Sequence, residues 1–593
     1  DRYCGVFKTQ KIKIKMKDYR LSSWKKYPNE LFYIAAMVAL ILQLLHLRYD
    51  LLLHFDKDLG LLSYSARSMV DALLLLLPYW LLPAKLRIYY VSIIVFLFSF
   101  WGLSQLWYYR TYDDLMPFSS FLLFDNISPL LLNSIKASMK LTDILFILPP
   151  FFLFILYWFL FVDTIKKTPV NSKKRVIYTI SILLFAILIH LMNAYVFYSK
   201  MQNRTTCHLG IRYVNTVNYI SYFDFNGFVP FCIHSFINTI LEKRSLDIKE
   251  KEEIESFLSK YMLKYTDNQY AVKEKQNLIV IIVESLNSWL INFKLDSIEV
   301  TPHLNQLCQE NNSILALHIQ PQVKSGRSSD AHFMYNTGLL PINNGAVAVR
   351  FGEAEYPSLA KALKGYKSLS MVCDDAKYWN QETAFKSYGF TQLYDSRSMM
   401  NTSGNINDHI LLEKAANQIK HVDFPFYAQL VTISMHYPYN TLEIPSTNIS
   451  KSKLYTKDIR NFLEKAHFCD NAIGKFIQEL KETGIYEKSL IAIISDHNEI
   501  DKNQIENRKE TLPEDKEIAM IILNGSQKLN YTSKMEQIDI YPTLLDLMGA
   551  NNYPWKGLGH SIFRKDSILL LPLEERRSYI SDLIITKGYF KMK

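Results

Sequence analysis

The stretch Ile88-Tyr-Tyr-Val-Ser-Ile-Ile-Val-Phe-Leu-Phe-Ser-Phe-Trp-Gly-Leu-Ser-Gln-Leu-Trp-Tyr-Tyr109 runs for 22 residues without a charged side chain. A helix of about 20 apolar residues crosses the hydrocarbon core of a bilayer, so this stretch predicts a membrane span. Four further apolar runs lie around it, at Leu31 to Leu47, Met69 to Leu82, Ile144 to Val162 and Val176 to Phe197. The sequence therefore predicts an α-helical transmembrane bundle of five spans, in preference to buried helices of a soluble protein.

The basic residues of the loops predict the orientation of these spans. Lysine and arginine are retained on the cytoplasmic side of a membrane. They occur before the first span, between the second and third, and between the fourth and fifth, for example at Lys8, Lys11, Lys85, Arg87, Lys166, Lys167 and Arg175. The first apolar run follows about thirty polar residues and is succeeded by others, which predicts an uncleaved anchor. We expect a multi-pass protein of a cytoplasmic membrane, with everything after about residue 198 outside.

The composition excludes two other classes of protein. The formal net charge of +10 could suggest a nucleic-acid-binding protein, but much of the basic excess lies beside the apolar spans and is better explained as an orientation signal. The six cysteines form no CxxC pair and no Cys/His spacing. A zinc site of the Cys/His type or a disulfide framework is therefore not expected, and no nucleic-acid partner is predicted.

The chain divides into three predicted regions. Residues 1–198 form the transmembrane domain with a basic cytoplasmic N-terminus, and residues 199–275 form an aromatic and then charged connector. The aromatic part is consistent with an amphipathic element at the membrane surface and equally with a packed inter-domain helix. In residues 276–593, short β-branched runs alternate with amphipathic helical stretches. That alternation predicts an α/β domain with a largely parallel central sheet.

Polar residues follow two of the predicted strands. The run Asn277 to Val283 is followed by Glu284, and the run Leu490 to Ile494 by Ser495-Asp496-His497. Because ligands collect beyond the carboxyl ends of strands in open α/β sheets, this carboxylate and the Asp-His pair are candidate ligands of one divalent ion. An Asp-His pair also occurs by chance in solvated loops, so the spacing alone does not decide between the two.

A third segment supplies a candidate nucleophile. Lys324-Ser-Gly-Arg-Ser-Ser-Asp330 places hydroxyl groups beside a glycine and a cation, a composition that also occurs in flexible turns. A hydroxyl attacks an anionic ester when a neighbouring metal lowers its pKa and draws charge from the phosphoryl oxygens. Arg327 is a candidate for stabilising a transferring phosphoryl group, with a solvated side chain as the alternative.

Together these motifs resemble the lipoteichoic acid synthase and phosphoglycerol transferase group of the alkaline phosphatase/sulfatase superfamily. The five apolar runs precede the motifs as in that family, and the motifs follow its order along the chain. The resemblance implies a sulfatase-like catalytic domain outside the membrane. It also implies a metal site formed by Glu284, Ser328, Asp496 and His497, with Ser328 at the position of the family's threonine nucleophile. The metal implied is one divalent ion, manganese first, with magnesium or zinc as alternatives.

The resemblance also implies a site for the substrate. His436, in Ser434-Met-His-Tyr-Pro438, matches a substrate-contacting histidine of the family, and Asp374 and Trp379 match its headgroup region. Trp379 could instead pack in the domain core. Two family residues are replaced, an arginine by Gln381 and a histidine by Val372, which removes two donors to phosphoglycerol oxygens. The headgroup is therefore the open part of the prediction.

The expected activity is metal-dependent transfer of a phosphoglycerol-type group. The donor would be a membrane phospholipid such as phosphatidylglycerol, the acceptor a hydroxyl of a cell-envelope glycan or polymer, and the intermediate a covalent ester on Ser328. One alternative keeps the site but makes the protein a phosphoethanolamine transferase or a phosphodiesterase. A sulfatase is less expected because no Cys/Ser-x-Pro-x-Arg segment is present, and a non-catalytic membrane binding protein would not need all four predicted metal-site residues. The sequence predicts neither the acceptor nor the oligomeric state.

Overall fold

The structure is a computed structural model of the 593-residue chain. It describes residues 27–52, 60–112, 115–118, 120, 135–136, 138–161, 165, 170–201, 219–241, 245–272, 277–343, 345–402, 404–439, 444–445, 447, 449–451, 455–498, 512–513, 516–564 and 574–590. The basic N-terminal segment predicted to be cytoplasmic, and the loop residues Lys166 and Lys167, lie outside the described residues. The chain forms two compact units, the first of residues 1–119 and 138–240 and the second of residues 120–137 and 241–593.

The first unit consists of helices. Its described helices are α1 Pro28–Leu52, α2 Gly60–Leu75, α3 Ala84–Tyr112, α4 Ile144–Leu156, α5 Ser172–Met201, α6 Tyr219–Asn226 and α7 Phe228–Leu241. A buried apolar cluster holds them together and includes Phe32, Leu40, Val95, Phe146 and Phe231. Many apolar side chains on the outer faces of α3, α4 and α5 are exposed, as is typical of helices surrounded by lipid.

Four described helical segments are long and apolar enough to cross a membrane, so the predicted count of five is not confirmed. They are Pro28–Leu51, Ala84–Arg110, Leu141–Phe159 and Ser172–Asn193. The predicted second span, Met69 to Leu82, is instead the end of the 16-residue helix α2 followed by a 3₁₀ turn, Leu77–Trp80. Pro78 lies inside that turn, and a proline cannot donate the backbone hydrogen bond that would continue an α-helix. Alone, α2 is about 24 Å long, less than the hydrocarbon thickness of a bilayer.

The second unit is an α/β domain around a nine-stranded sheet. The described strands are β1 Asn277–Val283, β2 Lys294–Leu295, β3 Ile298–Glu299, β4 Ile314–Gln320, β5 Lys367–Val372, β6 Gln392–Tyr394, β7 Phe426–Val431, β8 Ser489–Ser495, β9 Ile518–Leu523, β10 Leu529–Tyr531 and β11 Met535–Glu536. The sheet order is β10-β4-β9-β8-β1-β7-β5-β6, with β11 also paired to β4, while β2 and β3 form a separate hairpin.

Helices cover the sheet. Those described are α8 Ile248–Tyr261, α9 Pro302–Leu307, α10 Ser328–Thr337, α11 Val347–Phe351, α12 Leu359–Ala362, α13 Gln381–Tyr388, α14 Ser396–Met400, α15 Asp408–Ile419, α16 Lys457–Glu482, α17 Ile540–Leu547 and α18 Glu574–Thr586. The side chains of β1 alternate between two apolar cores: Val280 and Ile282 lie in one, and Ile279 and Ile281 in the other. A strand buried on both faces reads as a continuous apolar run, which is what the sequence of β1 shows.

The sheet is mixed, although the part that carries the predicted site is parallel. Strands β8, β1, β7, β5 and β6 are paired in parallel. β9 is antiparallel to both of its neighbours, β8 and β4. Consequently β4 runs in the same direction as β8, and the carboxyl ends of β1, β4, β5, β7 and β8 meet at one edge.

Candidate active site

Four predicted site residues meet at this carboxyl edge. Glu284 directly follows β1, and Asp496 and His497 directly follow the adjacent strand β8. Ser328 is the first residue of α10, which the loop after β4 leads into. The fold thus brings together Glu284, Ser328, Asp496 and His497, of which the first and last are 213 positions apart in the sequence.

The distances within this cluster fit a single divalent ion. The Ser328 Oγ atom lies 3.3 Å from Glu284 Oε2 and 3.3 Å from His497 Nε2. His497 Nε2 lies 3.5 Å from Glu284 Oε1 and 3.6 Å from Asp496 Oδ2. Two ligands that each bind one ion at about 2.1 Å in tetrahedral directions are about 3.4 Å apart. The mixture of carboxylate oxygens and an imidazole nitrogen suits zinc or manganese more than calcium.

The burial of the carboxylates also fits a cation. The residues Glu284 and Asp496 are only 5% and 1% exposed, and His497 is 4% exposed. One ligand atom of each residue can be chosen so that all three lie within 4.8 Å of one another. Two neighbouring buried carboxylates lose their hydration and repel each other unless a positive charge lies between them. A divalent ion at this position would provide that charge.

Backbone and hydroxyl donors orient the two carboxylates. Asp496 Oδ1 accepts hydrogen bonds from the backbone N–H groups of Ser285, at 2.8 Å, and His497, at 2.7 Å. Its other oxygen is left facing His497 Nε2. The Ser285 hydroxyl donates to Glu284 Oε1 at 2.9 Å, and the Glu284 N–H donates to Thr432 Oγ1 at 3.0 Å. Such outer contacts fix the directions in which the ligands point.

The loop before Ser328 is held in a strained conformation. Asp330 Oδ2 accepts hydrogen bonds from the N–H groups of Lys324, at 2.8 Å, and Gly326, at 3.0 Å. Arg327, whose side chain is half-buried next to Ser328, has a φ of +47°. This left-handed conformation is unfavourable for a residue with a Cβ atom and is often found at functional sites. The loop therefore presents Ser328 at a sharp turn into α10.

The predicted headgroup residues form a second group at the same edge. Asp374 follows β5, which lies two strands from β1 in the sheet, or about 10 Å at the usual strand spacing. Gln381 Nε2 donates to Asp374 Oδ1 at 3.0 Å and to Oδ2 at 3.1 Å. Burial raises the pKa of Asp374 to about 7, although this hydrogen bond opposes the shift. Asp374 is thus paired with the neutral amide of Gln381, the residue at the position where the resemblance implies an arginine.

Trp379 does not belong to the core, contrary to one of the two sequence interpretations. Its ring is half-exposed, in a 3₁₀ turn Tyr378–Asn380 in which no side chain is buried. Both Trp379 and Asn380 have positive φ values, 56° and 53°. Asn380 fixes this turn by donating to the backbone oxygen of Ala348 at 2.8 Å. The turn therefore holds a half-exposed aromatic ring two positions before Gln381, the hydrogen-bond partner of Asp374.

His436 lies in the loop that follows β7, between the two groups in the strand order. It is half-buried, and its Nδ1 atom lies at hydrogen-bond distance from the Tyr437 oxygen. Asp408, the first residue of α15, supports the loop by accepting from the N–H groups of Ile433, at 2.8 Å, and Ser434, at 3.0 Å. All predicted site residues thus lie at one edge of the sheet.

Several residues that organise the site were not predicted from the sequence. Ser285 could have been suspected from its position beside Glu284, but Asp408 carries no local signal because its partners are 25 and 26 positions away. His332 lies one helical turn after Ser328 on α10; its Nε2 atom is buried and has no hydrogen-bond partner within the described part of the chain. Burial lowers the pKa of His332 to about 4, so the ring is neutral at pH 7. The sequence signal that could have identified His332 is its position four residues after Ser328, which places both side chains on one face of a helix.

A segment after β11 supports the end of β8 that carries part of the site. Gln537, in the segment Gln537 to Leu545, donates its side-chain N–H to the Asp496 backbone oxygen at 2.6 Å and to the Tyr335 hydroxyl at 2.7 Å. Tyr335 in turn donates to the backbone oxygen of Ser495. These bonds fix the end of β8 from which the Asp496-His497 pair projects.

Comparison with known proteins gives matches on both units. The family model described as "Sulfatase" matches residues 276–550, and the model described as "Lipoteichoic acid synthase N-terminal domain" matches residues 11–228. Lipoteichoic acid synthase 2 of Bacillus subtilis is 26% identical over 516 residues, which cover 83% of this chain and 77% of the relative. Lipoteichoic acid synthase of Staphylococcus aureus is 25% identical over 549 residues, covering 86% of this chain and 82% of the relative.

A solved structure also shares the architecture. The integral membrane lipooligosaccharide phosphoethanolamine transferase A of Neisseria meningitidis superposes with a TM-score of 0.50 at 13% identity, over 91% of this chain and 97% of that chain. At this identity the likeness concerns the fold only. The two family models, the two relatives and the cluster at the sheet edge agree with one another. The chain is a membrane protein of the lipoteichoic acid synthase group in the alkaline phosphatase/sulfatase superfamily, and a phosphotransferase with the sulfatase fold.

Proposed function

We propose that the protein transfers a phosphoglycerol-type group from a membrane phospholipid such as phosphatidylglycerol to a hydroxyl of a cell-envelope glycan or polymer. The observation that carries this proposal is the position of the Ser328 hydroxyl, 3.3 Å from both Glu284 Oε2 and His497 Nε2. The relatives named lipoteichoic acid synthase support the donor and acceptor classes. An anchor in the membrane raises the effective concentration of a lipid donor at the active site.

The transfer is proposed to occur in two steps. In the first, Ser328 Oγ releases its proton to solvent and attacks the phosphorus, the bond from phosphorus to the diacylglycerol oxygen breaks, and His436 donates a proton to that leaving oxygen. In the second step an acceptor hydroxyl gives its proton to His436 and attacks the phosphorus of the phosphoserine ester. The bond from phosphorus to Ser328 Oγ then breaks, and Ser328 Oγ regains a proton from solvent. Arg327 lies beside the nucleophile in the sequence, and its proposed role is to stabilise the negative charge on the phosphoryl oxygens.

A divalent ion completes the proposed site. Glu284, Asp496, His497 and the Ser328 oxygen would hold it, with manganese first and magnesium or zinc as alternatives. When bound, such an ion lowers the pKa of a neighbouring hydroxyl and offsets negative charge on phosphoryl oxygens. The spacing of the four side chains and the burial of two acids support this assignment. The protein's own part is to keep the ligands oriented and the nucleophile beside them.

A pair of neighbouring serines provides the test. Ser328→Ala removes the proposed nucleophile, while Ser329→Ala removes a buried hydroxyl at the next position of the same helix. With phosphatidylglycerol vesicles, diacylglycerol release should fall by about a thousandfold or more in the first variant, because the covalent step is lost. The second variant should keep most of the activity. Diacylglycerol release by Ser328→Ala at the rate of the unmodified protein would contradict the proposal.

A second headgroup is favoured by one observation. The Asp374 carboxylate is bonded to the neutral amide of Gln381, no salt bridge joins it to a cation among the described residues, and the charges that raise its pKa are those of two further acids, Asp375 and Asp395. An acidic group of this kind also suits a cationic headgroup, which makes phosphoethanolamine transfer the second candidate. The two candidates differ in which lipid yields diacylglycerol, phosphatidylglycerol or phosphatidylethanolamine. Release from either lipid without an acceptor product would indicate a phosphodiesterase.

A further inference from the structure

Helix α7 has a buried face that packs within the helical unit. Phe228 packs against Phe98 of α3, with ring centroids 4.9 Å apart in an edge-to-face arrangement. Phe231 and Ser235, three and seven positions further on, are 0% exposed. The Ser235 hydroxyl also accepts a hydrogen bond from the Phe118 N–H at 2.7 Å. One side of α7 is therefore an integral part of the first unit.

The N-terminus of α7 is bound inside that unit by an acid from α2. Asp71, which is fully buried, accepts hydrogen bonds from the N–H groups of Phe228, at 2.8 Å, and Val229, at 3.0 Å. Its carboxylate also lies 3.6 Å from Arg48 of α1. Gly227 permits this approach, since a Cβ atom there would lie 2.8 Å from Asp71 Oδ1. The first N–H groups of a helix otherwise lack partners, so the cap fixes α7 to α2.

The opposite face of α7 is apolar and exposed. Ile233, Phe236, Ile237 and Ile240 are 54%, 43%, 43% and 60% exposed. Their spacing, i, i+3, i+4 and i+7, places them in one stripe along the helix. A helix face in contact with water would carry charged or polar groups at such positions. Phe96, Leu97 and Phe100 of α3, the helix against which Phe228 of α7 packs, are also exposed, and α3 is one of the candidate membrane spans.

We infer that the stripe of α7 contacts the acyl chains of the bilayer, so that α7 is a membrane-embedded helix that does not cross. With 14 residues, α7 is about 21 Å long, too short for the hydrocarbon core. The Asp71 cap satisfies its N-terminal N–H groups within the protein, which is the condition for a helix end to lie at membrane depth. After α7 the chain continues, from Leu241, into the larger part of the second unit.

Photocrosslinking from the stripe tests this inference and identifies the occupant. A benzophenone amino acid is placed at Ile237 of the full chain, which is then reconstituted in vesicles of phosphatidylcholine and phosphatidylglycerol and irradiated. Mass spectrometry of the α7 peptide should show a phospholipid adduct. The same residue at Phe424, an exposed apolar position of the catalytic unit, controls for exposure alone and should give severalfold less lipid adduct.

Two outcomes would overturn the inference. The first is a crosslink from Ile237 to another segment of this chain or to a second copy, because protein would then cover the stripe. The second is a yield of lipid adduct no greater than at Phe424. A variant with the benzophenone at Ile233 is made in parallel, so that a folding failure of one variant leaves the test intact. Neither position belongs to the proposed catalytic site, so the result is independent of the transferred headgroup.

Discussion

At the residue scale, the Ser285 hydroxyl orients one of the proposed metal ligands. It donates to Glu284 Oε1 at 2.9 Å, while its backbone N–H donates to Asp496 Oδ1. Ser285→Ala deletes the first bond and keeps the second. We predict 10- to 100-fold weaker manganese binding, as for other residues that orient metal ligands, measured by titration calorimetry. Ser288→Ala, at a buried serine three positions away, is the control and should bind normally. Equal affinities in the two variants would contradict the role given to Ser285.

Asp374, the acid of the predicted headgroup site, predicts that the KM for the lipid donor depends on pH. Burial raises the pKa of Asp374 to about 7, so its carboxylate gains charge as the pH rises through 7. If this charge accepts hydrogen bonds from headgroup donors, the KM for the lipid donor should fall over the same interval. Asp374→Asn should remove this step from the KM profile and leave the metal affinity unchanged. A profile of the same shape in Asp374→Asn would assign the pH dependence to another group.

At the element scale, the turn into α10 depends on a residue without a side chain. A Cβ atom at Gly326 would lie 2.1 Å from Asp330 Oδ1, and this contact involves a short side chain fixed by two backbone hydrogen bonds. Gly326→Ala must therefore displace the loop that carries Ser328. We predict a fall in kcat of about 100-fold, since a misplacement of about 1 Å has that effect. Gly404→Ala, where the nearest atom is 3.5 Å away, should have little effect on kcat and serves as the control.

The sequence predicted the elements whose signal is local. Continuous apolar runs identified β1 and β8, and the residues directly after them, Glu284 and Asp496-His497, do meet because parallel neighbouring strands end at one edge. The antiparallel direction of β9 has no such signal, since Ile518–Leu523 reads like any buried strand. Ser328 entered the predicted site through a family resemblance, and only the fold places it beside Glu284.

The second apolar run shows why other parts could not be predicted. Its length suggested a span, but α2 begins nine residues earlier than Met69, at Gly60, and ends before Pro78. The run also contains an acid, Asp71, and an unpaired acid is costly inside a membrane span. The structure shows that the acid is satisfied by α7, a partner 157 positions away in the sequence. Long-range pairing of this kind leaves no pattern within a single segment.

At the scale of the whole molecule, metal binding should stabilise the second unit. Glu284 and Asp496 are buried together, and a cation that binds only the folded state raises the free energy of unfolding. At a concentration of 100 times Kd, the increase is about 2.7 kcal/mol. We predict that manganese raises the Tm of the catalytic unit and that a chelator reverses the change, measured by scanning calorimetry. Asp496→Asn should show neither effect, and an equal rise in its Tm would place the stabilising ion elsewhere.

The central claim is that Ser328 carries the transferred group, and mass spectrometry of the peptide that contains it tests this most directly. The full-length protein is incubated with manganese and phosphatidylglycerol, quenched in acid and digested. We predict a mass increase on Ser328 equal to a phosphoglycerol group, absent from Ser328→Ala and lost again when an acceptor hydroxyl is supplied. Diacylglycerol release at an undiminished rate with no adduct at any quench time, or an adduct that persists in Ser328→Ala, would contradict the account.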